Sequence, residues 1–428
     1  MSWPQRLQSL ISIFYYLLFI LIPLIWLPNT SELFEFNKLI LTYILTALIA
    51  GTWAIRMIME KRIIFKKTLL DWPILLFLLA NLASLIFSID SHTSWFGYYS
   101  RWNGGLLSLI SYSLLYWAFV SNMDSKSALR TTHYALLASI AVAIYATLEH
   151  FGASISCLLT TGQPNVACWV QDVQNRVFAT LGQPNWLAAY IAALIFIPLS
   201  YLTPGVKYWT NLGIFVLLFS TLLFTKSRSG LLAFGISSII FWGLTPKRLV
   251  LKGVSLWVLT VVMLTAIISN PVRDLVFKPA APEKTTGPAL EVGGTESGNI
   301  RKIVWTGATR IWRSNIKNLL IGTGPETFAM AYYQYRPIEH NQTSEWELLY
   351  NKAHNEFLNY LATTGILGLG SYLILLVFML KAFRRPQIAF LAGWLTIIVT
   401  NFWGFSVVIM QLFLFLFPAI ALTIKDDQ

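Results

Sequence analysis

The sequence predicts an all-α integral membrane protein with about 12 transmembrane helices and one large, partly helical extracytoplasmic loop between helices nine and ten. Two observations carry this prediction. Of the 428 residues, 56% are hydrophobic and 12% are charged, whereas about a quarter of the residues of a soluble domain are charged. Apolar runs of about 20 residues, the length that crosses a bilayer as a helix, also recur along the chain.

Twelve such runs divide the chain into three parts. Residues 1–269 hold nine predicted helices, residues 270–354 form the loop, and residues 355–428 hold three more helices. The predicted spans lie near residues 10–28, 37–57, 69–89, 103–121, 131–149, 185–203, 208–225, 229–244, 250–269, 355–380, 386–404 and 407–424.

The distribution of basic residues predicts the orientation of these helices. With a cytoplasmic N-terminus, sixteen of the 31 Lys and Arg residues fall in short cytoplasmic loops, and five fall in short loops on the other side. Because short cytoplasmic loops of membrane proteins are enriched in Lys and Arg, we expect both termini in the cytoplasm and the long loop outside. The net charge of +12 then reflects topology and does not indicate nucleic-acid binding.

The predicted outer loop between helices five and six contains both cysteines, Cys157 and Cys168. In an oxidising compartment two cysteines at this spacing are candidates for a disulfide, which is favoured over two free thiols. The same loop contains Gly-Gln-Pro-Asn twice, at 162–165 and 182–185. Pro-Asn favours a turn, and in the second copy Asn185 is also placed to cap the helix that begins at Trp186.

Residues 300–318, in the long loop, combine apolar and basic side chains at helical spacing. Ile303, Trp305 and Ile311 are among the apolar residues, and Arg301 and Arg310 are among the basic ones. This pattern predicts an amphipathic helix with a basic face, which suits a membrane interface or an anionic substrate. A solvated charged face is the alternative.

Three polar residues fall near the predicted outer ends of helices, where an ionisable side chain usually faces a cavity, a partner or a substrate. Each also has an ordinary explanation: Arg228 could reach lipid phosphates, Arg176 could be a loop cation, and His354 could be a hydrogen-bonded interfacial residue. Together they indicate a site for an anionic lipid-linked donor. Arginine binds phosphate oxygens in pairs, and histidine can accept a proton near neutral pH.

The carboxylates of the first outer loops bear on the need for a metal ion. Asp90 stands there without a second carboxylate beside it. A metal-dependent lipid-sugar transferase would be expected to have a carboxylate cluster in this region. The sequence therefore predicts chemistry that uses no metal ion and no other cofactor.

Several segments, in this order, resemble the O-antigen ligase and O-antigen polymerase superfamily. They are Arg176 followed by residues 182–188 (Gly-Gln-Pro-Asn-Trp-Leu-Ala), residues 227–230 (Ser-Arg-Ser-Gly), Arg301 with Trp305, residues 322–324 (Gly-Thr-Gly) with Phe328, and residues 354–358 (His-Asn-Glu-Phe-Leu) with residues 365–368 (Gly-Ile-Leu-Gly). The resemblance covers roughly residues 176–380 and the twelve-helix outline.

This resemblance implies a metal-independent, inverting glycosyltransferase of lipopolysaccharide biosynthesis, located in the bacterial inner membrane with its active site on the outer face. It would move a glycan from undecaprenyl diphosphate to a hydroxyl group of a glycan or lipid acceptor. Arg228 and His354 would be catalytic. The substrate would be bound by Arg176, Asn185, Arg301 and Arg310.

Other functions remain open. Within the same superfamily the chain could polymerise repeat units or glycosylate a protein serine. A polytopic transporter of lipid-linked glycans and a scaffold without chemistry are the alternatives from other classes. Transporters usually place polar residues near the middle of the bilayer within symmetric repeats, whereas here they gather at the outer ends and the long loop breaks any symmetry. The enzyme is therefore favoured.

Overall fold

The computed structural model of the chain describes residues 2–30, 32–200, 206–245, 247–277, 297–384 and 387–424. In this part of the chain the regular structure is helical, and the one β-type pairing is an isolated antiparallel bridge between Ala153 and Asn165. The predicted all-α class is thus confirmed for the described residues.

Nineteen α-helices occur among the described residues, and one of them lies over each of the twelve predicted spans. The first nine are α1 (Trp3–Leu24), α2 (Glu35–Glu60), α3 (Asp71–Ile86), α4 (Ser91–Phe96), α5 (Leu106–Asn122), α6 (Ser125–His150), α7 (Ile155–Thr161), α8 (Pro184–Leu194) and α9 (Phe196–Ser200). The other ten are α10 (Val206–Phe224), α11 (Arg228–Leu244), α12 (Lys247–Ile267), α13 (Pro271–Phe277), α14 (Ser297–Arg313), α15 (Ile316–Ile321), α16 (Phe328–Tyr335), α17 (Glu356–Lys381), α18 (Ile388–Phe402) and α19 (Val408–Thr423).

The helices differ in their ability to cross a membrane. By length and apolar composition, four of the described helices can do so alone: α1, α2, α6 and α17. The end of α12 and α13 form a fifth candidate that is bent by 73°. Shorter apolar helices of 10–17 residues lie over the remaining predicted spans. The chain is therefore a helical membrane protein, and the count of twelve spans stays a prediction.

Two segments form the centre of the bundle. Every residue from Trp186 to Leu199, in α8 and α9, and every residue from Ser406 to Ala421, at α19, is buried. A helix that is apolar all round is stable where other helices surround it. Peripheral helices instead expose one apolar side, as Ile58 of α2 and Ile239 of α11 do, which suits contact with lipid.

The predicted amphipathic helix over 300–318 is present but divided into α14 and α15. The division falls at Asn315, whose side chain accepts a hydrogen bond from the Asn318 N–H (2.8 Å) and caps a new helix. The buried side of α14 consists of Ile300, Val304, Ala308 and Ile311, whereas the predicted apolar residues Ile303 and Trp305 are half-buried. Burial follows the i, i+4 spacing of the residues that meet a neighbouring helix.

A glycine contact attaches the long loop to the bundle. Gly322, after α15, lies against a break in α17 at Gly365, and both have left-handed φ values of +71° and +64°. A Cβ on Gly322 would lie 2.2 Å from the carbonyl carbon of Thr363. The Gly324 N–H donates to the Thr363 carbonyl oxygen (2.8 Å). Glycine is needed here because both the conformation and the close approach exclude a side chain.

Candidate active site

Contacts between two loops bring Arg176, Asn185 and Arg228 together. Nε of Arg176 donates to the carbonyl oxygen of Thr225 (3.3 Å), and Oγ of Ser227 donates to Oδ1 of Asn185 (2.8 Å). Ser227 also caps α11, because its Oγ accepts a hydrogen bond from the Gly230 N–H (3.2 Å). Arg228 is therefore held in the first turn of α11 beside Asn185.

The role predicted for Asn185 as a helix cap is wrong. The helix α8 begins at Pro184, its N-cap is Gln183, and Oδ1 of Asn185 is bound to Ser227. Proline is favoured at the first helical position because the N–H that it lacks has no partner there. The second Gly-Gln-Pro-Asn motif therefore starts a helix with proline and places an amide side chain at the site.

Arg301 reaches the site because α14 packs on α16. The two helices meet closely at Gly307, where a Cβ would lie 2.3 Å from the ring of Tyr332. Burial lowers the pKa of Arg301, and the nearby positive charge of Arg228 lowers it further, whereas Tyr350 acts in the opposite direction. Arginine nevertheless remains protonated at any accessible pH, so two like charges face each other here.

One cavity of about 610 Å³ is lined by Arg176, Lys226, Arg228 and Arg301. We call it the cationic cavity. Its other lining residues are Asn185, Ser229, Leu232, Pro271, Gly298 and Trp403. Among the residues that the structure describes, the lining thus contains four cations and no carboxylate. Because like charges repel and an anion between them removes the repulsion, the cavity favours an anionic ligand.

His354 lines a smaller cavity of about 60 Å³ that adjoins the cationic cavity, since Asn185, Ser229, Arg301 and Trp403 line both. We call it the histidine cavity. His354 has a left-handed φ of +51° and directly precedes the residue that caps α17. Its ring packs edge-on against Tyr350 and Phe405, with ring centroids 5.2 Å and 5.4 Å away. The imidazole is thereby held at one end of the shared space.

The surroundings of His354 keep its imidazole neutral. Burial, together with the charges of Arg301 and Arg101, lowers the pKa of His354 to about 4. At neutral pH the ring is therefore unprotonated and can accept a proton. An anion bound beside Arg301 would offset that cation and raise the proton affinity of the imidazole.

Arg310 and the two cysteines lie away from this arrangement. Arg310 is exposed, lines neither cavity, and its charge acts on the Tyr332 phenol. It is nine residues beyond Arg301, which places it about two and a half turns along α14. Cys157 and Cys168 form a disulfide with a Cα–Cα distance of 5.4 Å, and neither lines these cavities. The structure thus groups five of the six predicted site residues and leaves Arg310 apart.

Two lining residues, Lys226 and Trp403, were not identified from the sequence. Lys226 has a left-handed φ of +50°, and its ammonium donates a hydrogen bond to Oδ1 of Asn175. Its signal in the sequence was a second cation in the same short turn as Arg228. Trp403 follows α18 and lies 6.1 Å from the ring of Trp305, a contact that no local pattern indicated.

A largely apolar groove of about 640 Å³ is lined by residues that neighbour those of the cationic cavity in the chain. It lies between α10, α11, α12 and α13. Leu231 and Val272 line the groove, whereas the residues next to them in the chain, Leu232 and Pro271, line the cationic cavity. The groove and the cationic cavity therefore use neighbouring residues of α11 and α13.

The comparisons with known proteins identify a family for part of the chain. Residues 213–373 match the family model described as O-antigen ligase, and this range includes Arg228, Arg301 and His354 but not Arg176 or Asn185. A comparison with curated proteins found no match. The family match indicates a membrane glycan-processing function of the ligase or polymerase type. Residues 213–373 thus form a segment of the O-antigen ligase type, which supports the superfamily that the order of the motifs predicted.

Proposed function

We propose that this protein is a glycosyltransferase that moves a glycan from undecaprenyl diphosphate to an acceptor hydroxyl group. The observation that carries the proposal is the cationic cavity, where four cations share one space that continues to His354. Guanidinium groups bind the oxygens of a diphosphate in pairs and remain charged. The apolar groove formed by α10 to α13 offers the apolar surface that the polyprenyl chain of such a donor requires.

The reaction follows from this placement. The acceptor oxygen attacks the anomeric carbon on the face opposite the diphosphate, so the new C–O bond forms as the old one breaks and the configuration inverts. The bonding electron pair leaves with undecaprenyl diphosphate, whose added negative charge Arg176, Arg228 and Arg301 stabilise. His354 takes the hydroxyl proton. Protein cations perform the stabilisation, so the proposed mechanism is metal-independent and uses no cofactor.

Binding of the donor would prepare His354 for this step. Without ligand, Arg301 and Arg101 help to lower the pKa of the imidazole. A diphosphate on Arg301 would offset part of that positive charge and make the ring a stronger base. The base would thus gain strength only when the leaving group is in place.

We also propose the cellular location. The site would face the outer side of the bacterial inner membrane, with both termini in the cytoplasm. The support is that the basic loop after α2 lies beside the C-terminal end of α19, where Nζ of Lys66 donates to the Leu422 carbonyl oxygen (3.1 Å), whereas the histidine cavity lies at the N-terminal end of that helix. The partners would be the lipid-linked donor, a hydroxyl-bearing glycan or lipid acceptor, and the bilayer.

The test uses full-length protein in membranes of a strain that lacks it. We expect Arg228→Ala and His354→Ala each to lower glycan transfer at least about 100-fold while inserting normally. Arg313→Ala and His92→Ala are matched controls, because both side chains are exposed and line neither cavity; they should transfer at the wild-type rate.

The glycan that accumulates separates the members of the superfamily. Mass analysis of the strain without the protein should show unattached long chains for a ligase and single repeat units for a polymerase. Full transfer by His354→Ala would remove the general base from the proposal. A wild-type protein that moves lipid-linked glycan between the leaflets of liposomes and transfers none would make it a transporter instead.

A further inference from the structure

A cation that lies outside the matched family range stands directly behind the site. Arg101 belongs to the tight loop between α4 and α5, where Gly97 (φ +100°) and Trp102 (φ +55°) have left-handed conformations. A Cβ on Gly97 would lie 2.6 Å from the carbonyl carbon of Trp102. The loop is therefore closed on itself, and it presents Arg101 to the bundle in one orientation.

The guanidinium of Arg101 packs on two aromatic rings that line the histidine cavity. Its Cζ lies 4.9 Å from the ring centroid of Trp186 and 5.1 Å from that of Phe405, within the range of a cation–π interaction. Trp186 follows Asn185 in the chain, and Phe405 packs against His354. The Arg101 side chain thus contacts both Trp186, which is next to Asn185 in the chain, and Phe405, which contacts the His354 ring. We call these two aromatic rings the wall.

Two buried carboxylates hold Arg101 from the other side. Glu35 and Glu326 line a polar pocket with Arg101. Burial lowers the pKa of Arg101, and the negative charges of Glu35 and Glu326 act in the opposite direction. Glu35 also accepts a hydrogen bond from the Val408 N–H (2.8 Å), which fixes the start of α19 three residues after Phe405. Nη1 of Arg101 is buried and has no hydrogen-bond partner among the described residues, so stacking and long-range charge attraction set its place.

We propose that Arg101 is a positioning residue of the transferase, which holds Trp186 and Phe405 as the wall for the His354 ring and places a second cation behind that ring. The inference rests on the proposed function. It deepens that function by making the geometry of the base depend on a loop that precedes the matched range by more than a hundred residues.

The expected direction of the effect follows from the groups around His354. Arg301 faces it from α14, Arg101 from the α4–α5 loop, Tyr350 from the segment before α17, and Phe405 from the segment before α19. Arg301 and Arg101 both disfavour the imidazolium form. A substitution that removes the charge of Arg101 should therefore raise the pKa of His354. A substitution that keeps the charge but removes the stacking of the guanidinium on the aromatic rings should not.

The first measurement is the titration of His354 in the full-length protein in detergent, by NMR of ¹⁵N-labelled histidine assigned with His354→Gln. Arg101→Met should raise the pKa of His354, and Arg101→Lys, which keeps the charge, should leave it near the wild-type value. Arg313→Met is the control, because Arg313 also stacks on an aromatic ring, Trp312 (5.4 Å), but is exposed and lines neither cavity. An unchanged titration in Arg101→Met would overturn the electrostatic part of the inference.

The second measurement is glycan transfer in membranes. We expect Arg101→Met to lower the rate at saturating donor between about 10- and 100-fold, as a misplaced catalytic group does, with binding of undecaprenyl diphosphate changed less than about 3-fold. The rate of Arg101→Lys should lie between those of Arg101→Met and the wild type, because lysine keeps the positive charge but lacks the planar guanidinium group.

The outcomes separate the inference from the proposed function. A wild type that transfers no glycan ends the proposed function, and the inference falls with it. An active wild type with an equally active Arg101→Met, or a slower variant whose only change is a lower thermal midpoint, ends the positioning role alone. Should Arg101→Met fail to insert, Arg101→Gln takes its place with the same expectations.

Discussion

Two groups of charged side chains lie at the same end of the bundle, on the two sides of Trp186 and Phe405. They differ in the signs of the charges that they bring together. In front of this wall the cationic cavity collects four cations and, among its described lining residues, no carboxylate. Behind it lies a second group, which mixes both signs and is mostly buried: Glu35, Arg101, Glu326, Lys352 and Glu356.

Four of the five charged groups behind the wall have a hydrogen-bond or ion-pair partner in the protein. Lys352 forms an ion pair with Glu326, whereas Glu35 and Glu356 accept hydrogen bonds from the backbone N–H groups of Val408 (2.8 Å) and Ser406 (3.4 Å). Buried charges persist only with such partners. Among the described residues, charges of one sign thus gather in the cavity that we propose binds the donor, whereas charges of both signs gather where they can attract each other and fix the backbone.

The largest effect should come from placing a carboxylate in the cationic cavity. Arg228→Glu removes one phosphate-binding group and supplies an internal partner for Arg301, so transfer should fall about 1,000-fold or more. Arg228→Lys, which keeps a charge without the planar fork, should lose much less. Rates in membranes containing equal amounts of each variant measure this. Retained activity in Arg228→Glu would show that the cavity does not bind the donor.

Breaking the pair behind the wall should instead affect stability. Lys352→Met leaves Glu326 buried without its partner, which should lower the free energy of unfolding by about 3–5 kcal/mol. The double variant Lys352→Met/Glu326→Gln should recover most of that loss, because no buried charge is left unpaired. Unfolding in detergent, followed by tryptophan fluorescence, tests both. Equal stability of the single variant and the wild type would show that the pair is not buried as described.

The pH dependence of transfer reports the electrostatic effect of the cations on His354. A base must be unprotonated, and with a pKa of about 4 about nine tenths of the imidazole is still neutral at pH 5. The rate at low donor concentration, which reports the free enzyme, should therefore change little between pH 7 and pH 5. A base with the ordinary histidine pKa near 6.5 would lose about 25-fold in rate over the same range, and that result would contradict the described surroundings of His354.

The smallest loss of transfer is expected for Arg310, in contrast to Arg301 of the same helix. Arg301 lines both cavities, whereas Arg310 is exposed and lines neither. We expect Arg301→Ala to lower transfer about 100-fold and Arg310→Ala to lower it less than about 3-fold, as for a peripheral charge that acts through screened long-range attraction. A loss with Arg310→Ala that disappears at high salt would fit this view. A large, salt-independent loss would require α14 to move on donor binding.

Much of the helical architecture was predictable from the sequence because it follows from local chemistry. Apolar runs of about 20 residues form helices, since backbone groups in lipid must be satisfied within the segment, and a described helix lies over each predicted run. Arg228 and His354 could be identified because ionisable side chains near the membrane need a reason to be there. The superfamily followed from the order of short motifs.

Only the tertiary structure decided which of these residues share a space. Arg176, Arg228 and Arg301 come from three segments separated by 52 and 73 residues, and no local pattern places them in one cavity or leaves Arg310 outside it. The role of Asn185, the break at Asn315 and the position of Arg101 behind Phe405 likewise depend on partners distant in sequence. Sequence specifies the elements through short-range forces, whereas a site is built by long-range packing, and packing is known only once the elements meet.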